Sequence, residues 1–399
     1  MSDGGILELF PVDDDKQAEN VIDYRKTGIL PSQWLKALIA EGTIGGIPEI
    51  TPDQIQPASL DLRLGARAYR VRASFLPGPN STVIDKIRQL DGEPHIDLTS
   101  GPIVLEKNAV YVAELCEFVK LGGDYVGVAN PKSSIGRVDV LTRLITDRAT
   151  AFDRVEQGYK GKLYVEICPL SFSVVVKQGT RLNQLRIQRG TATIANTEMD
   201  RLYTGGQLVT VEGKLPPLRS NRHVPVSVDL EGTREAPIVG YKAKKNANKI
   251  DLEKIGQYNP RDFWEKIDHT GGSLNLDEGD FYILATREQV GVPPNLAAEM
   301  MPYDSTSGEF RVHYAGFFDP GFGWVGTDLG GRARGSKAVL EVRSYGVSFT
   351  LEHGQIVGWL NYVPLATGKT DLRYGENIRS NYQGQGVALA KFFKRWPTD

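Results

Sequence analysis

The chain has 399 residues, more than one compact core usually holds, so length alone points to two domains of roughly 150–200 residues. Its 47 basic and 49 acidic residues leave a formal charge of −2 without a basic face, which excludes a general nucleic-acid surface, so any anion site must be local. Two cysteines, Cys116 and Cys168, are too few for a disulfide framework or a four-cysteine zinc site and read as buried thiols, with a single bridge as the alternative.

The amino terminus, MSDGGILELFPVDDDK, is acidic and lacks the basic-then-apolar pattern of a leader. No apolar run reaches the ~18 residues of a membrane span. A soluble cytoplasmic protein with no membrane partner is expected. In PSQWLKALIAEG, Trp34, Leu35, Leu38 and Ile39 share one helical face, with Ser32 placed to cap and Gly42 to stop the helix. Beyond it the pattern turns to period two, in AVYVAEL, KLYVEI, SFSVVVK, FYILAT, AVLEVRS and VSFTLEH, separated by Gly, Pro, Asn and Asp. With 43 glycines to supply tight turns, a mainly β sandwich or barrel is expected.

The chain also repeats itself. PASLDLRLG is echoed by PVSVDLEG, VLEKNAVYVAELCEFVKLGGDYVGVANPKSS by NLDEGDFYILATREQVGVPPNLAAEMMPYDS, and KLYVEICPLSFSVVVKQG by AVLEVRSYGVSFTLEHG. In this register Pro131 stands opposite Pro302, and Glu166 opposite Glu341. Two copies of one β unit are expected, joined by the polar, proline-containing span 204–222.

Three stretches can carry chemistry. In PKSSIGR, the hydroxyls of Ser133 and Ser134, the backbone near Gly136 and the cations Lys132 and Arg137 suit phosphate oxygens, or else a plain surface turn. Glu166 and Glu341 each interrupt an apolar strand; strand alternation places such a carboxylate on the solvent face, whereas an inward one would have a raised pKa and serve as a proton carrier. FFDPGFG sets Asp319 among residues that let backbone approach a ligand, or form an ordinary turn. The polar RYGENIRSNYQGQG near the carboxy terminus reads as a mobile tail able to order over a ligand, or as simple disorder. His95, His223, His269, His313 and His353 show no metal spacing, and the H-x-E with P-C-x-x-C pattern of zinc nucleobase deaminases is missing, so zinc-free chemistry is expected.

Together these blocks resemble the dCTP deaminases, which share a trimeric jelly-roll-like fold with the dUTPases. GILPSQWLKALIAEGTI is similar to that family's first helix, QPASLDLRLG to its first strand, KSSIGR to its phosphate loop, FFDPGFG to its sugar-contacting motif, AVLE to its catalytic strand and NYQGQG to its closing tail. The resemblance spans nearly the whole chain as a tandem, double-length form. It implies two dUTPase-like distorted jelly-roll or β-barrel domains behind a short helix: 1–203 with the phosphate loop, a linker at 204–222, and 223–399 with the tail. It further implies hydrolytic deamination of dCTP to dUTP and ammonia, Mg2+ carried with the triphosphate, no zinc, and a homo-oligomer with sites between domains or subunits.

Carried over by residue, Ser133, Ser134 and Arg137 take phosphate-loop and active-site polar roles, with Lys132 and Gly136 beside them. Asp319 takes the sugar contact and Glu341 the proton shuttle. Val339 and Leu340 line the base, and Tyr374, Asn381 and Gln385 belong to the tail. The copies are unequal: the first has Gln157 where the second has Asp319, and the second puts Asp304 and Glu309 where the first has its basic loop. A composite site is therefore expected, with Glu166 as the rival to Glu341. A dUTPase-like or bifunctional enzyme that also cleaves dUTP, and a nucleotide-binding regulator without turnover, are the alternatives.

Overall fold

The computed structural model describes residues 25–397 apart from 91–93, 212–214, 216, 219–222, 234–236, 303–309, 313–315, 325–334 and 373–385. The period-two segments form antiparallel sheets. In the first half the order across the main sheet is Val140–Thr146, Lys160–Pro169, Val110–Lys120, Leu60–Val71, Arg181–Arg189, Tyr125–Pro131 and Arg154–Val155. In the second half one sheet runs Trp264–Asp268, Ile238–Ala243, Phe281–Val290, Ser336–Ser344 and Phe310–Val312. Another runs Val224–Ser227, Ile356–Pro364, Leu296–Pro302 and Phe317–Phe318.

The sequence repeat is a structural one. Lys160–Pro169 lies between Val110–Lys120 and Val140–Thr146, just as Ser336–Ser344 lies between Phe281–Val290 and Phe310–Val312. Glu166 and Glu341 thus hold equivalent places in their sheets. Neither faces bulk water, for both are buried.

The expected helix forms over Ser32–Ala40 and ends before Gly42, whose φ of +73° suits glycine. Ser32 does not cap it. Pro31 occupies the N-cap, and the Ser32 hydroxyl lies 3.1 Å from that of Thr370. Helices also form over Val83–Gln89, Ser133–Gly136 and Asn196–Thr204, where only strands and turns are expected from period two. The first of these, Val83–Gln89, starts on a local signal, the Thr82 hydroxyl accepting the Asp85 N–H at 3.1 Å.

The halves interlock. The first core takes in Tyr241, Phe263, Trp264, Phe281 and Ile283 from the second half, together with Phe392 and Phe393 near the carboxy terminus. Phe172 stacks edge-on against Phe263 at 5.7 Å and Trp264 at 5.4 Å, and burying each such ring stabilises the join by about 2–3 kcal/mol. Ile250–Asp251 adds a parallel strand to Val174–Val176. In the other direction, Asn196–Thr204 buries Met199, Leu202 and Tyr203 in the second core, and Val209–Thr210 pairs with Phe281–Val290. Segments expected at the end of the first unit and in the linker therefore belong to the second core: the i, i+3, i+4 apolar spacing at 199, 202 and 203 outweighs the turn-like glycines that follow.

Candidate active site

The loop PKSSIGR is drawn tight by its own backbone. Lys132 N–H donates to Leu182 O at 2.8 Å, and Ile135 and Gly136 both donate to Lys132 O, at 2.7 and 3.1 Å. Ile135 sinks into the first core, while Ser134, Gly136 and Arg137 are also buried and Ser133 is half-buried. This turn aims Arg137 across the join. Its Nη1 donates to Ala388 O at 3.1 Å, and its charge acts directly on Glu341 of the second half.

Burial pushes the Glu341 carboxyl up to about 8, with Arg137 pulling the other way and Asp139 adding to the rise. Val339 lies two residues away on the same face of the strand, as base lining requires. Leu340 departs from the expectation: its side chain points to the opposite face and is fully buried in the second core, since neighbouring strand residues cannot share a face.

A second set of charges converges around Lys132. Its Nζ meets Asp61 Oδ1 at 2.5 Å, and Arg181 reaches Asp61 Oδ2 at 3.7 Å and Asp53 Oδ2 at 2.6 Å. Lys391 lies near enough that burial, and the repulsion of Lys132, lower its pKa. A cleft of about 480 Å3 runs along this returning segment, lined by Ala388, Lys391, Tyr241 and Trp396 among others.

Asp319 also comes to this group. Its carboxyl is raised by burial against the opposing pull of Arg186, 3.1 Å away, and feels Asp61 and Lys132. Sequence patterns did not single out Asp61, Arg181, Arg186 or Lys391. A signal for Asp61 was present in the repeat: Asp229 holds the same place in PVSVDLEG and also ion-pairs with a lysine, Lys337.

Glu166 is engaged elsewhere. Arg143, its cross-strand neighbour, donates to Glu166 Oε1 from Nε at 2.9 Å and Nη2 at 2.5 Å, while stacking 3.8 Å over Phe152 and donating to Ser74 at 2.7 Å. Nearby Asp153 is pushed up to about 7, chiefly by burial. Cys116 and Cys168 are buried free thiols. Tyr374, Asn381, Gln385, Asp304 and Glu309 lie outside the described residues. Among the described residues no three His, Cys, Asp or Glu side chains gather to hold a metal ion, and no helix is long and apolar enough to cross a membrane.

A mainly β chain of two homologous halves, with a buried carboxyl of one facing the phosphate-type loop of the other, defines a nucleotide-site architecture. The family models for the 2'-deoxycytidine 5'-triphosphate deaminase N-terminal and C-terminal domains match residues 26–191 and 195–393. A crystal structure of 2'-deoxycytidine 5'-triphosphate deaminase from Agrobacterium tumefaciens superposes with a TM-score of 0.78 at 46% identity, covering 86% of this chain and 100% of that one. A "dCTP deaminase, dUMP-forming" of Salinispora tropica is 31% identical over 169 residues, 40% of this chain and 79% of its own. A "dCTP deaminase" of Halorubrum lacusprofundi is 28% identical over 149 residues, 37% of this chain and 70% of its own. The chain belongs to the dCTP deaminase family, and its fold is the tandem dUTPase-like one that membership implies.

Proposed function

We propose that the chain converts dCTP and water to dUTP and ammonia, with Glu341 as proton carrier, in a site assembled from the two halves of one chain. One observation carries this reading: Glu341 is buried, its proton held to about 8, and it faces Arg137 from the loop PKSSIGR. At neutral pH the carboxyl starts protonated and gives its proton to N3 of cytosine. The carboxylate then takes a proton from the water whose oxygen bonds to C4. It returns that proton to the amino group, which leaves as ammonia, and takes the remaining hydroxyl proton as the C4 carbonyl forms. Ring and carboxyl end in balance, with N3 protonated as in uracil. Such proton transfer is worth about 10²- to 10⁴-fold.

The triphosphate would lie toward Lys132, Arg181 and Lys391. The lowered pKa of Lys391 reflects positive charge crowded into a partly buried place, which an incoming anion relieves. Ser133 and Ser134 would supply hydroxyl contacts from the loop, and Asp319, held by Arg186, the sugar contact. Magnesium would travel on the phosphates, whose oxygens are the hard ligands it prefers. The Asp319–Arg186 pair also favours release of dUTP over further hydrolysis to dUMP, because that carboxylate is already committed to a guanidinium.

Ammonia and dUMP release from dCTP is the test. Glu341→Gln should lower ammonia release by about 10²-fold or more, and folded Glu166→Gln should retain it within a few-fold. Loss with Glu166→Gln alone would reverse the assignment, binding without ammonia would make the protein a regulator, and dUMP from the wild type would make it bifunctional. In the wild type, kcat/KM should fall about tenfold per pH unit above about 8, as the free enzyme loses the Glu341 proton. A profile flat to pH 10 would exclude the acid form as the starting state.

A further inference from the structure

Two residues past Arg137 in the loop, and two past Glu341 in the strand, a second contact crosses the join. Arg343 Nη2 donates to Asp139 Oδ2 and, at 3.2 Å, to Ser171 Oγ, while Ser171 Oγ donates to the same Asp139 oxygen at 2.6 Å. Asp139 is wholly buried and sits at φ +57°, a left-handed conformation that Asp tolerates better than most residues. Its backbone is fixed on both sides: its N–H donates to Gly136 O at 2.8 Å and its carbonyl accepts from Leu170 at 2.8 Å. Arg343 is equally held, through Nη1 to Gly279 O and over the Phe281 ring at 5.8 Å.

We propose that Asp139 and Arg343 form a clasp that sets Arg137 against Glu341, so that the phosphate loop of one half and the proton carrier of the other keep working register. This rests on Glu341 being that carrier. The clasp closes one strand step from the site: Arg343 shares a strand face with Glu341, and Asp139 is tied by one hydrogen bond to the turn that aims Arg137. Nothing in PKSSIGR or AVLE discloses the pair, which joins residues 204 positions apart. The Asp139 charge has a second effect. After burial, it raises the Glu341 carboxyl while Arg137 lowers it, so the loop turn and the clasp each bring a charge to bear on that carboxyl; the cross-strand neighbour, Ile283, is apolar.

Asp139→Asn keeps the backbone preference and removes the charge. It should lower kcat/KM for dCTP by about 10- to 100-fold, as expected for displaced catalytic groups, and move the descending limb of the pH profile below that of the wild type. A merely structural residue would not move that limb. Arg343→Lys keeps charge but cannot span Asp139 and Gly279 together, so it should also lose several-fold, and the double variant should be no worse than Asp139→Asn alone, because the pair acts as a unit. Full kcat/KM with an unmoved limb in Asp139→Asn, or losses that multiply in the double variant, would overturn the clasp. If Asp139→Asn does not fold, Arg343→Lys decides: wild-type kcat/KM there overturns it equally. Activity in Glu341→Gln would instead bring down the underlying reading, so the two failures are distinct.

Discussion

Glu341→Gln should make the protein more stable as well as inactive, and the gain should grow with pH. The folded chain holds the Glu341 proton up to about 8, whereas the unfolded chain releases it near the ordinary value of 4.5. Between those values the native state binds more protons than the unfolded one, so this group's contribution to stability falls as pH rises from 4.5 to 8 and is level above that. At about 1.4 kcal/mol per pKa unit, the cost approaches an upper limit of about 5 kcal/mol at pH 9 and vanishes near pH 4. Glutamine carries no such term. Urea unfolding of both proteins at pH 5 and pH 9 checks this: the variant's advantage should be small at pH 5 and several kcal/mol at pH 9. An equal difference at both would mean that the carboxyl is not held in a dry place. A stability cost concentrated on the one group needed for proton transfer is the trade expected of a functional site.

What could be read in the sequence was whatever is local. Strand periodicity, the repeat and the loop PKSSIGR each declare themselves within a few neighbouring residues, and all appear in the fold. The carboxylates that interrupt LYVEI and AVLEV were visible too, but not their different fates: Glu166 is answered by Arg143 on the adjoining strand, while Glu341 meets Arg137 from the other half. Contacts across the join were hidden, because Arg186 and Asp319 stand 133 positions apart and no local pattern relates them. Helix Val83–Gln89 escaped because seven residues give too few turns for periodicity to show. The interlocked cores escaped for a further reason: Phe172, Phe263 and Phe393 are ordinary apolar residues in their own segments, and only the tertiary fold makes one cluster of them.

Arg186→Met should destabilise the protein by about 3–5 kcal/mol, the cost of leaving a buried charge without its partner. Arg186 is almost fully buried and gives Nη1 to Ala298 O at 3.1 Å and Nη2 to Phe318 O at 3.4 Å and Asp319 Oδ1 at 3.1 Å, while stacking 4.0 Å over Phe317. One side chain of the first half thereby fastens two strands of the second. Methionine fills much of the volume and keeps contact with the ring, but both carbonyls lose a donor and Asp319 loses its cation. Burial already raises the Asp319 carboxyl, and without Arg186 that rise goes unopposed by its main partner. The variant should therefore be weaker at pH 9, where Asp319 must stay charged or hold its proton at a cost, than at pH 5. Adding Asp319→Leu removes the stranded carboxyl, and the double variant should recover most of the loss, as replaced buried ion pairs often do. Denaturant midpoints of the two variants at both pH values measure it. A double variant as unstable as Arg186→Met would place the cost in the lost Ala298 and Phe318 hydrogen bonds and not in the charge, and the join between the halves would then depend on backbone contacts more than on the ion pair.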